Sequence, residues 1–155
     1  MSEASEYDFI VIRGGEAGIA VSKAASLRGA KTLLIEKSLL GGSGIWSTSV
    51  PMKALIQVAK HAYYRQRGHL FGLPIAPIAL SESSGALAYV REMTRRISSL
   101  EDVSAQCEKA KVDVLEGDAT FTGHDRIKVN GRTLKAKNFV LCTGAHPLDS
   151  RDQGA

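Results

Sequence analysis

The chain has 155 residues, enough for one domain with a real core and too few for two comfortable ones. Its 44% hydrophobic and 23% charged residues argue against disorder, and a net charge of +4 spread without any dense basic run argues against nucleic-acid binding. The acidic start MSEASEYD is unlike a secretion signal, and Pro74 and Pro77 break the most apolar stretch, so a cytoplasmic protein without a membrane partner is expected.

Tyr7 to Ile12, YDFIVI, is a short apolar run ending in glycines, which suits a buried strand of a parallel sheet. Ala17, Ala20, Val21, Ala24 and Leu27 then recur at helical spacing, with Gly29 placed as a C-terminal cap. A second strand, KTLLIEK, completes a βαβ unit. The small residues along the helix, Gly18 among them, let it lie close on the sheet.

A second helix is expected from Pro51 to about Arg67, with Ser49 as N-cap and Gly68 beyond its end. After the polar SESSG comes one longer amphipathic segment, with Leu87, Val90, Thr94, Ile97, Leu100, Val103 and Cys107 on a single stripe. From Val112 the pattern changes to short strands: VDVL, ATF, RIKV, RTLK and NFVLC. Asn130-Gly131 is a hairpin signal, because both residues tolerate the positive φ of a type I′ turn. The last five residues, RDQGA, read as a frayed tail.

Arg13-Gly14-Gly15-Glu16-Ala17-Gly18 lies between the first strand and the first helix. In the dinucleotide fingerprint G-x-G-x-x-G the first glycine makes the tight turn, the second admits the pyrophosphate, and the third lets helix meet strand. Gly15 and Gly18 hold the second and third places and Arg13 holds the first, where its Cβ strains the turn. Arg13 is therefore either a charge partner for the pyrophosphate or a mark of a damaged site. Glu36 ends the second strand where a carboxylate binds ribose hydroxyls. Cys107 and Cys142 form no metal or redox motif, and His61, His69, His124 and His146 have no spacing for a metal or a triad.

YDFIVIRGGEAGIAVSKAASLRGAKTLLIEK, GGSGIWSTSVPMKALI, GDATF and NFVLCTGAHP together resemble, in order and spacing, the N-terminal FAD-binding segment of the class I pyridine nucleotide-disulfide oxidoreductases. The pattern is nearest the mercuric reductase and dihydrolipoamide dehydrogenase type, with the mercuric-reductase-like branch closest. The resemblance implies an α/β fold: a three-layer FAD/NAD(P)-binding (Rossmann-like) domain with a parallel sheet, helices and a small antiparallel β-meander near Val112 to Lys135. It implies an FAD-binding domain at residues 1–150 and a tail at 151–155, with the family's NAD(P)H and dimer-interface domains missing.

The family's loop reads G-G-T-C-x-x-x-x-C-x-P-S-K, and its cysteines form the redox disulfide. Gly41, Gly42, Pro51 and Lys53 match, Ser43 replaces the threonine, and Gly44 and Ser49 replace the two cysteines. Disulfide exchange needs a thiolate, so the resemblance implies no catalytic residue of that kind here. It implies FAD contacts at Gly14, Gly15, Gly18, Glu36, Lys37, Gly42, Ser43, Ala119, Thr143 and Gly144, with Lys53 beside the flavin. Trp46 either packs or touches the flavin region.

The function implied is an FAD-binding fragment of a flavin-dependent NAD(P)H oxidoreductase without disulfide reductase activity. The alternatives are a non-catalytic nucleotide-binding or interaction module and an inactive gene remnant. Apolar surface that further segments would cover is expected to favour self-association or a partner chain.

Overall fold

The computed structural model describes residues 6–74, 83–100 and 102–145. Residues 1–5, Pro77 with the rest of its apolar stretch, the start of SESSG, His146, Pro147 and the tail at 151–155 lie outside the described residues. In chain order the elements are β1 (Glu6–Ile12), α1 (Glu16–Ser26), β2 (Thr32–Glu36), α2 (Gly42–Trp46) and α3 (Ser49–Gln66). They continue with a 3-10 turn (Gly68–Phe71), α4 (Ser83–Leu100), α5 (Val103–Lys109), β3 (Asp113–Glu116), β4 (Thr120–Gly123), β5 (Arg126–Val129) and β6 (Arg132–Leu141). The chain divides into two compact units, residues 1–40 with 104–155, and residues 41–103.

The first unit is built on a six-stranded sheet of order β3-β2-β1-β6-β5-β4. β1 runs parallel to β2 and β6, and β2 parallel to β3, while β5 is antiparallel to both β4 and β6. Every residue of β2 is buried, as are Ile10, Val11 and Ile12 of β1, because both faces of these strands are covered. Ile10, Ile12, Leu33 and Ile35 join Ile127, Val129, Leu134 and Ala136 in one core cluster, so the meander supplies the other half of this core. The fold is thus the expected α/β domain with parallel strands, helices and an antiparallel meander.

The strand partition differs from the expectation. RTLK and NFVLC are one ten-residue strand, β6, whose first half pairs with β5 and whose second half pairs with β1. VDVL, expected within the meander, is β3 on the parallel side. Apolar alternation reports the pleat and not the direction of the partner, so neither fact was in the pattern. The Asn130-Gly131 turn is as expected, with φ of 49° and 78°.

The helix α1 turns a different stripe inward. Gly18 and Ser22 are buried, whereas Ala17, Ala20 and Ala24 are exposed and Leu27 is 73% exposed. Close approach to the sheet selects the residues with the smallest side chains over the most apolar ones. Ser26 fixes the helix against the α5 end by donating its hydroxyl to the carbonyls of Ala110 and Lys111, at 2.7 and 3.0 Å.

In the second unit the glycine-rich stretch after β2 is helical, forming α2, which the sequence pattern did not predict. Thr48 and not Ser49 is the N-cap of α3, and its hydroxyl donates back to the Ser43 carbonyl at 3.0 Å, closing α2. The long amphipathic segment is two helices, α4 and α5. Near the break, the hydroxyls of Ser98 and Ser99 donate to the Arg95 and Arg96 carbonyls, a local alternative to continuing the helix. Among the described residues, no helix is long and apolar enough to cross a membrane.

Candidate dinucleotide-binding site

Parallel strands deliver their carboxyl ends to one edge of the sheet, and Ile12, Glu36, Glu116 and Leu141 mark that edge in register. The loops leaving it are tied together by backbone bonds: Arg13 N–H to the Ile35 carbonyl at 2.8 Å, Gly117 N–H to the Glu36 carbonyl at 2.9 Å, and Cys142 N–H to the Ile12 carbonyl at 2.9 Å. Three segments far apart in sequence, Arg13–Gly18, Gly117–Ala119 and Cys142–Gly144, therefore gather around the adjacent ends of β1 and β2. This is where open α/β sheets bind their ligands.

The turn between β1 and α1 keeps glycine geometry at its first position although arginine fills it. Arg13 has φ of 87°, a left-handed conformation that costs an L-residue with a Cβ about 1–2 kcal/mol. Gly15 is the N-cap of α1 with no side-chain cap bond, and a Cβ there would meet nothing within 4 Å, so the helix start is open to a ligand. At Gly18 a Cβ would run into the Arg13 carbonyl oxygen. The helix can turn back on the strand only because that side chain is absent.

Glu36 is buried and its carboxylate closes the turn. Oε2 accepts from the Gly14 N–H at 2.7 Å, and Oε1 accepts from the Ser38 N–H at 2.8 Å and from Arg13 Nη1 at 3.3 Å. Arg13 thus points at the carboxylate at the end of β2. Lys37 is exposed and pairs with Asp118 at 3.8 Å, and Ala119 packs against the core cluster. Thr143 and Gly144 are exposed just past β6, with Gly144 at φ of 73°.

Gly14, Gly15, Gly18, Glu36, Lys37, Ala119, Thr143 and Gly144 all belong to this unit. Gly42, Ser43, Gly44, Ser49 and Lys53 belong to the other one, where Gly42 to Gly44 lie in α2, Ser49 opens α3 and Lys53 is exposed on α3. Trp46 is half-buried at the end of α2. The bonds that Arg13 and Ser38 make to Glu36 were not foreseen; an arginine in a glycine position facing a strand-end carboxylate is the signal that could have found the first of them.

Both cysteines are free. Cys107 is fully buried in α5, and burial pushes its thiol above the ordinary range, only partly opposed by the charge of Lys23. Cys142 is half-buried at the sheet edge. A thiol titration of the native protein at pH 8 is expected to count one fast thiol, lost in Cys142→Ser, with the second released only on unfolding. Two equally fast thiols would contradict this packing. Among the described residues, His61, His69 and His124 are exposed and no cluster of three or more His, Cys, Asp or Glu could hold a metal.

Residues 7–155 match the family described as pyridine nucleotide-disulphide oxidoreductase. A dihydrolipoyl dehydrogenase of Chlorobaculum parvum is 33% identical over 153 residues, covering 94% of this chain and 32% of that protein. A mercuric reductase of Staphylococcus aureus is 26% identical over 147 residues, covering 92% of this chain and 26% of that protein. These identities do not favour the mercuric-reductase branch over the dihydrolipoyl dehydrogenases. The solved structure of the HOCl-induced flavoprotein disulfide reductase RclA from Escherichia coli superimposes with a TM-score of 0.68 at 20% identity, covering 92% of this chain and 29% of that one, which supports the fold. The chain spans about a third of the length of the curated relatives it matches.

Proposed function

The chain belongs to the pyridine nucleotide-disulphide oxidoreductase family, and from that premise we propose that residues 1–150 form an FAD-binding domain of a flavin-dependent NAD(P)H oxidoreductase that works without a disulfide relay. The observation that carries the proposal is the meeting of the open helix start at Gly15, the Glu36 carboxylate and the turns at Ala119 and Thr143-Gly144 on one sheet edge.

The residues present fit the group. Unpaired N–H groups in the first turn of α1 and the positive end of its dipole suit a pyrophosphate, and Gly15 leaves room for it. On this reading Glu36 accepts from ribose hydroxyls, the backbone near Ala119 meets the adenine, and the family resemblance, by motif alone, assigns Lys53, Gly42 and Ser43 to the flavin end. When bound, FAD supplies two-electron chemistry between a pyridine nucleotide and an acceptor. The chain's own part is to bind and orient it, since Gly44 and Ser49 carry no sulfur for a disulfide in the family's loop.

Met52, Leu55, Ile56, Tyr63, Leu70 and Phe71 are exposed in α3 and the 3-10 turn, and this apolar surface favours the second reading, a nucleotide-binding or interaction module that self-associates or meets a partner chain. Purified protein is expected to carry, or to take up, a yellow chromophore with the visible absorbance of a flavin, ~1 per chain. Dye reduction by NAD(P)H would favour the oxidoreductase, and yellow but inert protein the module. Protein that stays colourless after incubation with excess FAD and gel filtration would overturn the cofactor assignment.

A further inference from the structure

We infer that Arg13 is an internal competitor for the nucleotide's ribose: it holds the carboxylate that a ribose diol needs and so weakens binding of nucleotides that carry the free diol. This rests on the dinucleotide site proposed above. A carboxylate offers about four acceptor positions. In Glu36 three are taken, by the N–H groups of Gly14 and Ser38 and by Arg13 Nη1, which leaves about one for a diol that donates two bonds.

The three donors are not equally able to leave. Gly14 and Ser38 donate from the backbone of the turns on either side of Glu36, at 2.7 and 2.8 Å, and releasing them means unfolding those turns. Arg13 donates from a flexible side chain that is 23% exposed, over the longest of the three bonds, 3.3 Å. A ribose that takes both hydroxyl contacts must displace the guanidinium. The turn backbone needs no change for this, because Arg13 already holds the positive φ that a glycine would adopt there.

The test compares ADP with 2′-deoxy-ADP by isothermal titration calorimetry on the wild-type chain, Arg13→Met and Arg13→Gly. Methionine keeps the Cβ and an unbranched stem and removes the guanidinium with its donors and charge, whereas glycine also relieves the turn. Wild type is expected to bind the two ligands with similar affinity, since one acceptor position serves either ribose. Arg13→Met is expected to bind ADP about tenfold tighter, with 2′-deoxy-ADP changed less than about twofold, and Arg13→Gly to show the same preference if methionine impairs folding.

Equal ADP affinity in wild type and both variants overturns the competition and leaves the nucleotide site standing. An equal gain for both ligands also overturns it, because an effect blind to the 2′-hydroxyl does not act through the ribose diol. Weaker binding by the variants overturns it in favour of Arg13 contacting phosphate. No binding of either ligand to any of the three proteins overturns both the competition and the dinucleotide site.

Discussion

Gly18→Ala is expected to lower the melting temperature by about 10 °C, the largest loss from any single added methyl group at the site. The added Cβ would overlap the backbone carbonyl oxygen of Arg13, and a Cβ contact with Cys142 at 3.4 Å closes the other side. Neither the carbonyl nor the turn can move freely, because the Arg13 N–H is bonded to Ile35 and the Cys142 N–H to Ile12. The helix α1 must lift from the sheet, and overpacking of this kind costs about 3 kcal/mol. For a chain of this size each kcal/mol moves the midpoint by about 2–4 °C. Thermal unfolding followed by circular dichroism checks this, with Gly15→Ala as control, since its Cβ meets nothing within 4 Å and its φ of −75° suits any residue. A loss below about 2 °C for Gly18→Ala would mean that the helix is not seated on the turn as described.

That packing was legible in the sequence, because a glycine three residues after another, between an apolar strand and a helix, has few other uses. The strands YDFIVI and TLLIE were legible through their centres, IVI and LLI, where burial on both faces makes three successive residues apolar and leaves no ambiguity of period. What the pattern hid was governed by partners. Whether AKNFVL continues RTLK or starts anew depends on β5 and β1 flanking the strand on its two sides, β5 along its first half and β1 along its second, which no local spacing records. The inward stripe of α1 was misread because Ser22 is less apolar than Leu27 yet fits the narrower gap. At the site, the glycines and Glu36 could be read from the fingerprint. The bond from Arg13 to Glu36 spans 23 residues and arises only when the turn brings the first position of the motif over the end of β2.

Glu36→Ala is expected to cost about 2–4 kcal/mol of stability and to abolish measurable ADP binding, a double loss that no other side chain of the site should produce. The buried Gly14 N–H loses its partner, and an unsatisfied buried donor costs about 1–3 kcal/mol. The Ser38 N–H loses its acceptor as well, and Arg13 is left at positive φ with no carboxylate to hold its guanidinium. That ion pair is partly exposed on the Arg13 side, so its own share is small, and the backbone donors account for most of the loss. Two measurements separate these contributions. Denaturant unfolding of Glu36→Ala in wild-type and Arg13→Met backgrounds should give nearly the same loss, within about 1 kcal/mol, if the backbone bonds dominate. A loss that vanishes in the Arg13→Met background would show instead that Glu36 serves the chain only as a counter-ion to Arg13, and the carboxylate would then have no place in the architecture of the turn. Glu36→Gln keeps one carbonyl acceptor for Gly14 and is expected to recover about half of the stability while binding ADP weakly, since a ribose diol donates more strongly to a carboxylate than to an amide. Recovery of stability without recovery of binding assigns the charge on Glu36 to the ligand and its geometry to the fold.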